Sequence, residues 1–239
     1  MLGLARSLTC CIPLLFAFNT YAASALPDRV ILVGDSTMAS STGYGDALCA
    51  RFTPETACHN LARGGRSSGS FRAEKRWDEV MDLLRKNEGF RKTYVLIQFG
   101  HNDQPGKPGR STDYATEFPV NMKRYVEEAR SLGGEPVLVT PLTRRSFKEG
   151  YVHNDLAPWA GTVREIARAT KTPLVDLNAL SLAAVQAMGP KEADKLARTG
   201  ANFDYTHLGP LGAERFSNIM AEELVRQVPA LSASMRGAQ

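Results

Sequence analysis

The sequence predicts an α/β fold: a single three-layer domain with a parallel five-stranded sheet between helices. Three observations carry that prediction. Five short apolar runs are continuous rather than alternating, as in strands buried on both faces. Between them, apolar residues recur at three- and four-residue steps, the period of a helix. Finally, residues able to do chemistry gather just after the runs, where open α/β sheets build their sites.

In chain order, Arg29–Val33 is the first strand and His59–Ala62 the second. The spacing of Trp77, Val80, Met81 and Leu84 predicts a helix over 71–86. Thr93–Phe99 is the third strand. A helix follows over 113–132, with Met122, Tyr125, Val126 and Ala129 on one face and Pro119 expected to break or restart it. Glu135–Thr140 is the fourth strand. Trp159–Thr170 reads as a helix through Val163, Ile166 and Ala167, and Pro173–Leu177 as the last strand. Leu180–Met188 and Lys191–Leu196 are shorter helices. Pro210–Gln227 closes the series, with proline in its first turn and Phe216, Ile219, Met220 and Leu224 facing inward.

The 239 residues, 43% hydrophobic and 23% charged, fit one globular domain. The first 25 residues read differently. Arg6 is the only charge before Asp28, Leu8–Phe18 is mostly apolar, and Ala22, Ala23, Ser24 and Ala25 follow. That is the layout of a secretory signal peptide, cleaved after Ala25 or Ala22. The domain then spans residues 26–239, and the protein is expected to be exported to a periplasm or the medium. Leu8–Phe18 is too short to span a bilayer, and no stable membrane anchor is expected. Cys10 and Cys11 leave with the signal. Cys49 and Cys58 remain, and in an exported protein such a pair favours a disulfide. The formal charge of +4 is too small an excess to suggest nucleic-acid binding.

The first strand ends in Gly34-Asp35-Ser36-Thr37, which places a hydroxyl at the rim of the sheet. A serine becomes a nucleophile when a base takes its proton, and an acid commonly orients that base. Of His59, His101, His153 and His207, only His207 has an acid three residues before it, Asp204, just ahead of a helix. Developing negative charge needs donors. A backbone amide of the Gly64-Gly65 turn, the Asn102 side chain in Gly100-His101-Asn102-Asp103 and the Ser36 amide are candidates. The carboxylates and histidines do not fall into a dense ligand cluster, so neither metal nor cofactor is expected. Gly64-Gly65 lacks the lysine-serine ending of a P-loop.

These blocks, in this order from Ile31 to Leu208, resemble the SGNH, or GDSL-like, hydrolase superfamily. The resemblance implies that superfamily's flavodoxin-like fold. It implies Ser36 as nucleophile, His207 as base and Asp204 as orienting acid, with Ser36, Gly65 and Asn102 forming the oxyanion hole. Asp35 is structural in this reading; His101, beside Asn102, is expected to support the turn of its block and is not assigned to catalysis. Thr37, Gly65-Arg66-Ser67, Gln98-Phe99-Gly100-His101-Asn102-Asp103 and Thr140-Pro141-Leu142-Thr143-Arg144-Arg145 look like the rhamnogalacturonan acetylesterase branch. That implies an acetylated, acidic polysaccharide or oligosaccharide as partner. Arg63, Arg66, Arg72, Lys107, Arg110, Arg144, Arg145 and Lys148 fall on or near the active-side loops and suit a polyanion. Arg66, Arg144 and His153 are the candidate substrate contacts. The alternatives are an SGNH lipase or thioesterase for longer acyl esters, and a non-catalytic glycan-binding protein on the same fold.

Overall fold

The computed structural model describes residues 26–200 and 202–237; the expected signal peptide lies outside the described residues. Its central sheet comprises β1 (Arg29–Gly34), β2 (Ala57–Asn60), β3 (Thr93–Gln98), β4 (Glu135–Val139) and β7 (Leu174–Val175), all parallel, in the order β2-β1-β3-β4-β7. Between β4 and β7 runs a small antiparallel hairpin, β5 (Phe147–Lys148) and β6 (Tyr151–Val152). The chain steps outward from β1 to β2, then crosses back to β3 on the other side of β1. The topological switch point is therefore the gap between the carboxyl ends of β1 and β3, where such sheets place their sites.

Every residue of β1 and β3 is buried. Alternate side chains feed two cores, as a pleated strand requires. Val30, Leu32, Tyr94, Leu96, Val137 and Val139 pack against one helical layer: α1 (Gly45–Cys49), α6 (Leu177–Asp194) and α7 (Pro210–Gln227). Ile31, Val33, Val95, Ile97 and Leu138 pack against the other: α2 (Ser68–Ala73), α3 (Arg76–Arg85), α4 (Glu117–Ser131) and α5 (Ala157–Thr170). This explains why the strands read as unbroken apolar runs.

Several elements differ from expectation. The single helix over 71–86 is two. Lys75 adopts a left-handed conformation (φ 60°) between α2 and α3, and Ser67 and Ser70 cap α2 reciprocally. The helix expected from residue 113 begins at Glu117. The Asp113 carboxylate instead accepts the amides of Ala115 and Thr116 in a turn. Pro119 therefore lies in the first turn of α4, where its missing N–H costs nothing, rather than at a break. β2 is displaced toward the amino end of the predicted run. The two short helices predicted after β7 form one element interrupted at Gly189, whose φ of 70° and ψ of 170° lie outside the helix. The hairpin, α1 and the closing 3-10 turn Pro229–Ser234 carry too few residues to show a period. Cys49 at the end of α1 and Cys58 on β2 are joined by a disulfide.

Candidate active site

β1 delivers Ser36 to the switch point, and the turn beyond it is heavily braced. The carbonyl of Asp35 accepts the amides of Met38 and Ala39, and the carbonyl of Ser36 accepts the hydroxyl of Thr42. Asp35 is fully buried, and its Oδ1 accepts both the amide and the hydroxyl of Thr37 at 2.9 and 2.8 Å. The chain of bonds continues downward. Gln98 Nε2 donates to Thr37 Oγ1 at 2.7 Å, and Tyr44 Oη donates to Gln98 Oε1 at 2.7 Å. This buried chain ties the Ser36 turn to β3 and to the residue before α1, with Asp35 Oδ2 left without a hydrogen bond.

His207 reaches this turn from the irregular segment between α6 and α7. Its Nε2 lies 2.8 Å from Ser36 Oγ, and its Nδ1 lies 2.9 Å from Asp204 Oδ2. The second carboxylate oxygen of Asp204 accepts the amides of Thr206 and His207 at 2.9 and 2.8 Å. Burial opposes ionisation of Asp204, but the hydrogen bonds from the His207 amide and ring and from the Thr206 amide outweigh it. The carboxyl is held down at about 2. An ionised Asp204 only accepts, so Nδ1 carries the proton and Nε2 is left to accept from Ser36. Arg198 adds an exposed ion pair, Nε to Asp204 Oδ2 at 3.0 Å.

The donors lie on the two neighbouring loops. Gly65 has φ of 78°, a left-handed conformation open to glycine. A methyl group at Gly64 would lie 3.7 Å from Cβ of Ser36, so this backbone passes directly beside the hydroxyl. Among the described residues, neither the Ser36 nor the Gly65 amide donates to a protein acceptor. Asn102 is buried, and its Nδ2 uses one hydrogen on the carbonyl of Arg66 at 3.1 Å, leaving the second for a ligand. Asp103 joins the two loops. It accepts the Ser68 amide, the Ser68 hydroxyl and the Thr112 hydroxyl at 3.0, 2.6 and 2.6 Å. Burial dominates its titration and, against those bonds, lifts it to about 6.

The remaining histidines lie apart from this relay. His101 is buried, with Nδ1 3.3 Å from Asp35 Oδ2; the alignment makes no hydrogen bond, so the contact is electrostatic at most. Burial is the largest influence on His101 and lowers its pKa. His59 pairs in register with Ile31 along β2. His153 is exposed just after the hairpin.

The basic loops are the largest departure from the sequence reading. Arg66 donates to Glu74 at 2.9 Å and to the carbonyl of Gly64. Arg72 grips both oxygens of Glu128 at 2.9 Å, and Lys107 donates to the carbonyl of His101. Arg110 makes a long bond to the Gly65 carbonyl. Arg144 and Arg145 are buried. Arg63 and Lys148 are exposed and form no ion pair among the described residues. Most of the cations expected to face a polyanion are thus turned onto the protein, Arg66 and Lys107 through acceptors close by in sequence and Arg72, Arg110, Arg144 and Arg145 chiefly through acceptors far along the chain.

The GDSL-like lipase/acylhydrolase family model matches residues 32–215. A rhamnogalacturonan acetylesterase from Bacillus subtilis is 31% identical over 214 residues, covering 82% of this chain and 89% of the relative. A rhamnogalacturonan acetylesterase from Emericella nidulans is 29% identical, covering 86% of each chain. Among solved structures, a Bacillus subtilis protein superposes with TM-score 0.69 at 26% identity, over 85% of this chain and 57% of that longer one. An acetylxylan esterase from Geobacillus stearothermophilus shares the fold, with TM-score 0.61 at 18% identity over 85% of this chain and 94% of the other. With a match running from β1 into α7 and a hydrogen-bonded serine, histidine and aspartate at the switch point, this chain belongs to the GDSL-like lipase/acylhydrolase family of carboxylic ester hydrolases.

Proposed function

We propose that this protein is a serine esterase that removes acetyl groups from a plant cell-wall polysaccharide, with acetylated rhamnogalacturonan the first candidate substrate. The observation that carries the chemistry is the unbroken relay from Ser36 Oγ through His207 to Asp204, at 2.8 and 2.9 Å. Ser36 Oγ attacks the acetyl carbonyl while His207 Nε2 takes its proton. The oxyanion is held by the Ser36 and Gly65 amides and the free hydrogen of Asn102 Nδ2. The sugar oxygen departs with the proton from His207, leaving an acetyl group on Ser36. Water, deprotonated by the same histidine, releases acetate and restores the serine.

Two features support a glycan substrate. The relatives above include rhamnogalacturonan acetylesterases at 29–31% identity. The large exposed aromatics among the described residues are Tyr114, Tyr151, Phe203 and Tyr205. Tyr151 lies on the β5–β6 hairpin and the other three on loops at the carboxyl side of the sheet, and two flank Asp204. Flat, amphipathic rings of this kind suit the apolar faces of sugars. Charge adds little, since the paired arginines leave chiefly Arg63 and Lys148 to meet an acidic chain. Export through residues 1–25 would bring the enzyme to such a polymer.

Acetate release from acetylated rhamnogalacturonan and acetylated xylan, with Ser36→Ala alongside, tests the reading. Release from the pectic polymer, lost in the folded variant, is expected. Release from xylan alone would keep the mechanism and discard the pectic substrate. Undiminished release by Ser36→Ala would discard the mechanism.

A further inference from the structure

The segment Thr140–Arg145 has no regular structure, yet all six of its residues are buried. Irregular segments normally run over the surface, and arginine is seldom buried without a partner. Two adjacent buried arginines therefore need a reason. Their bonds supply one, for they converge on the four residues that carry the acid and the base.

Arg145 takes three of the four carbonyls of that stretch. Its amide donates to Tyr205 O at 2.8 Å, and its Nη2 donates to Asp204 O and His207 O at 2.5 and 2.8 Å. Arg144 takes the remaining residue by its side chain, with Nε donating to Thr206 Oγ1 at 3.2 Å. The pair is itself anchored. The Thr143 amide donates to Ser181 on α6, and Asn178 Nδ2 donates to the carbonyl of Pro141. Arg144 Nη1 bonds Asp155 Oδ2 at 2.5 Å, and Gln104 Nε2, two residues beyond Asn102, bonds the same oxygen at 3.2 Å. The loop of His207 and the loop of Asn102 are thereby braced through one carboxylate.

The 204–207 stretch has no helix or strand to hold it, and Asn202, Phe203 and Tyr205 are exposed. Without external bonds its carbonyls would be free to turn toward solvent. Arg145 meets them at a cost, because its Nε and Nη1 are buried without a protein partner. An apolar residue would pack more cheaply and would keep the amide bond to Tyr205 O, but it could not hold the carbonyls of Asp204 and His207.

We infer that Arg144 and Arg145 are positioning residues that clamp the Asp204–His207 stretch in register with Ser36. This rests on the reading of Ser36 and His207 as nucleophile and base. Misplacement of a catalytic group by an ångström costs about 10²-fold in rate.

The test uses Arg145→Lys and Arg144→Met in the mature protein with 4-nitrophenyl acetate as substrate. Proton NMR of the His207 Nδ1–H resonance is read alongside. Arg145→Lys, which keeps the charge but not the fork, is expected to lower kcat about 10²-fold with KM little changed. The Nδ1–H resonance should shift or broaden. Arg144→Met, which spares the carbonyl bonds, should show a smaller fall in kcat and a smaller shift. A folded Arg145→Lys with kcat within about twofold of wild type, or with an unmoved resonance, would overturn the clamp. If Arg145→Lys fails to fold, Arg144→Met decides by the same two readouts. A wild-type protein without esterase activity would instead remove the catalytic reading, and the NMR comparison would still judge the clamp.

Discussion

Asp103 offers a direct test of how the two donor loops are held together. It is fully buried, and burial raises its pKa from 3.8 to about 6 despite the bonds from Ser68 and Thr112. A rise of that size corresponds to about 3 kcal/mol of preference for the neutral carboxyl in the folded protein. For a carboxyl raised on folding, the stabilising contribution is complete below 3.8, where both states are protonated. It is lost as pH climbs through about 6, because the unfolded chain ionises first. Asp103→Asn has nothing to titrate. The stability of the variant relative to wild type should therefore grow by up to about 3 kcal/mol between pH 4 and pH 7 and then level off. Whatever constant offset the new amide brings by facing the Ser68 amide does not alter that slope. His101, lowered by burial, titrates in both proteins and cancels in the difference. The measurement is urea unfolding followed by tryptophan fluorescence, at unit steps from pH 4 to pH 8. A difference that stays constant over this range would mean that Asp103 ionises as it does in water, and the argument from burial would fail.

Two further outcomes follow from the site and the sheet. Asn102→Ala should lower kcat for 4-nitrophenyl acetate by about 10²–10³-fold with KM nearly unchanged, as expected for a donor used in the transition state; a raised KM at constant kcat would make it a ground-state contact. Replacing both Cys49 and Cys58 by alanine should cost about 3 kcal/mol, read as a lower urea midpoint, since the bridge closes a short loop of sequence separation 9. Ester hydrolysis should survive in that variant, because Cys58 pairs with Val30 at the opposite end of β1 from Gly34; loss of activity in the folded protein would show that the bridge reaches the site.

The cations teach a general point about reading such a chain. Arg144 and Arg145 sit in a run of active-side loops rich in positive charge, and from sequence they look like solvated groups awaiting an acidic ligand. In the structure one bonds Asp155 and Thr206, and the other bonds the carbonyls of Asp204, Tyr205 and His207. A hint was available: the two arginines follow β4 with no glycine, aspartate or asparagine to turn them outward. The partners lie 11 to 62 residues away, and no local pattern names them.

Local pattern did determine a good deal. Unbroken apolar runs identified the parallel strands because burial on both faces leaves no polar alternation to see. Ser36 and the Asp204–His207 spacing were legible because a strand end and a three-residue turn fix geometry over distances shorter than the chain's own stiffness. Helix limits were less so: a left-handed Lys75 splits α2 from α3, and Asp113 caps a separate turn over residues 114–116 ahead of α4. Tertiary packing alone decided the meeting of Ser36 with His207, 171 residues apart. It also decided the Tyr44–Gln98–Thr37–Asp35 chain beneath the serine and the choice of which arginines remain free. Each depends on desolvation, which makes a buried donor seek the nearest acceptor in space however far off it lies in sequence.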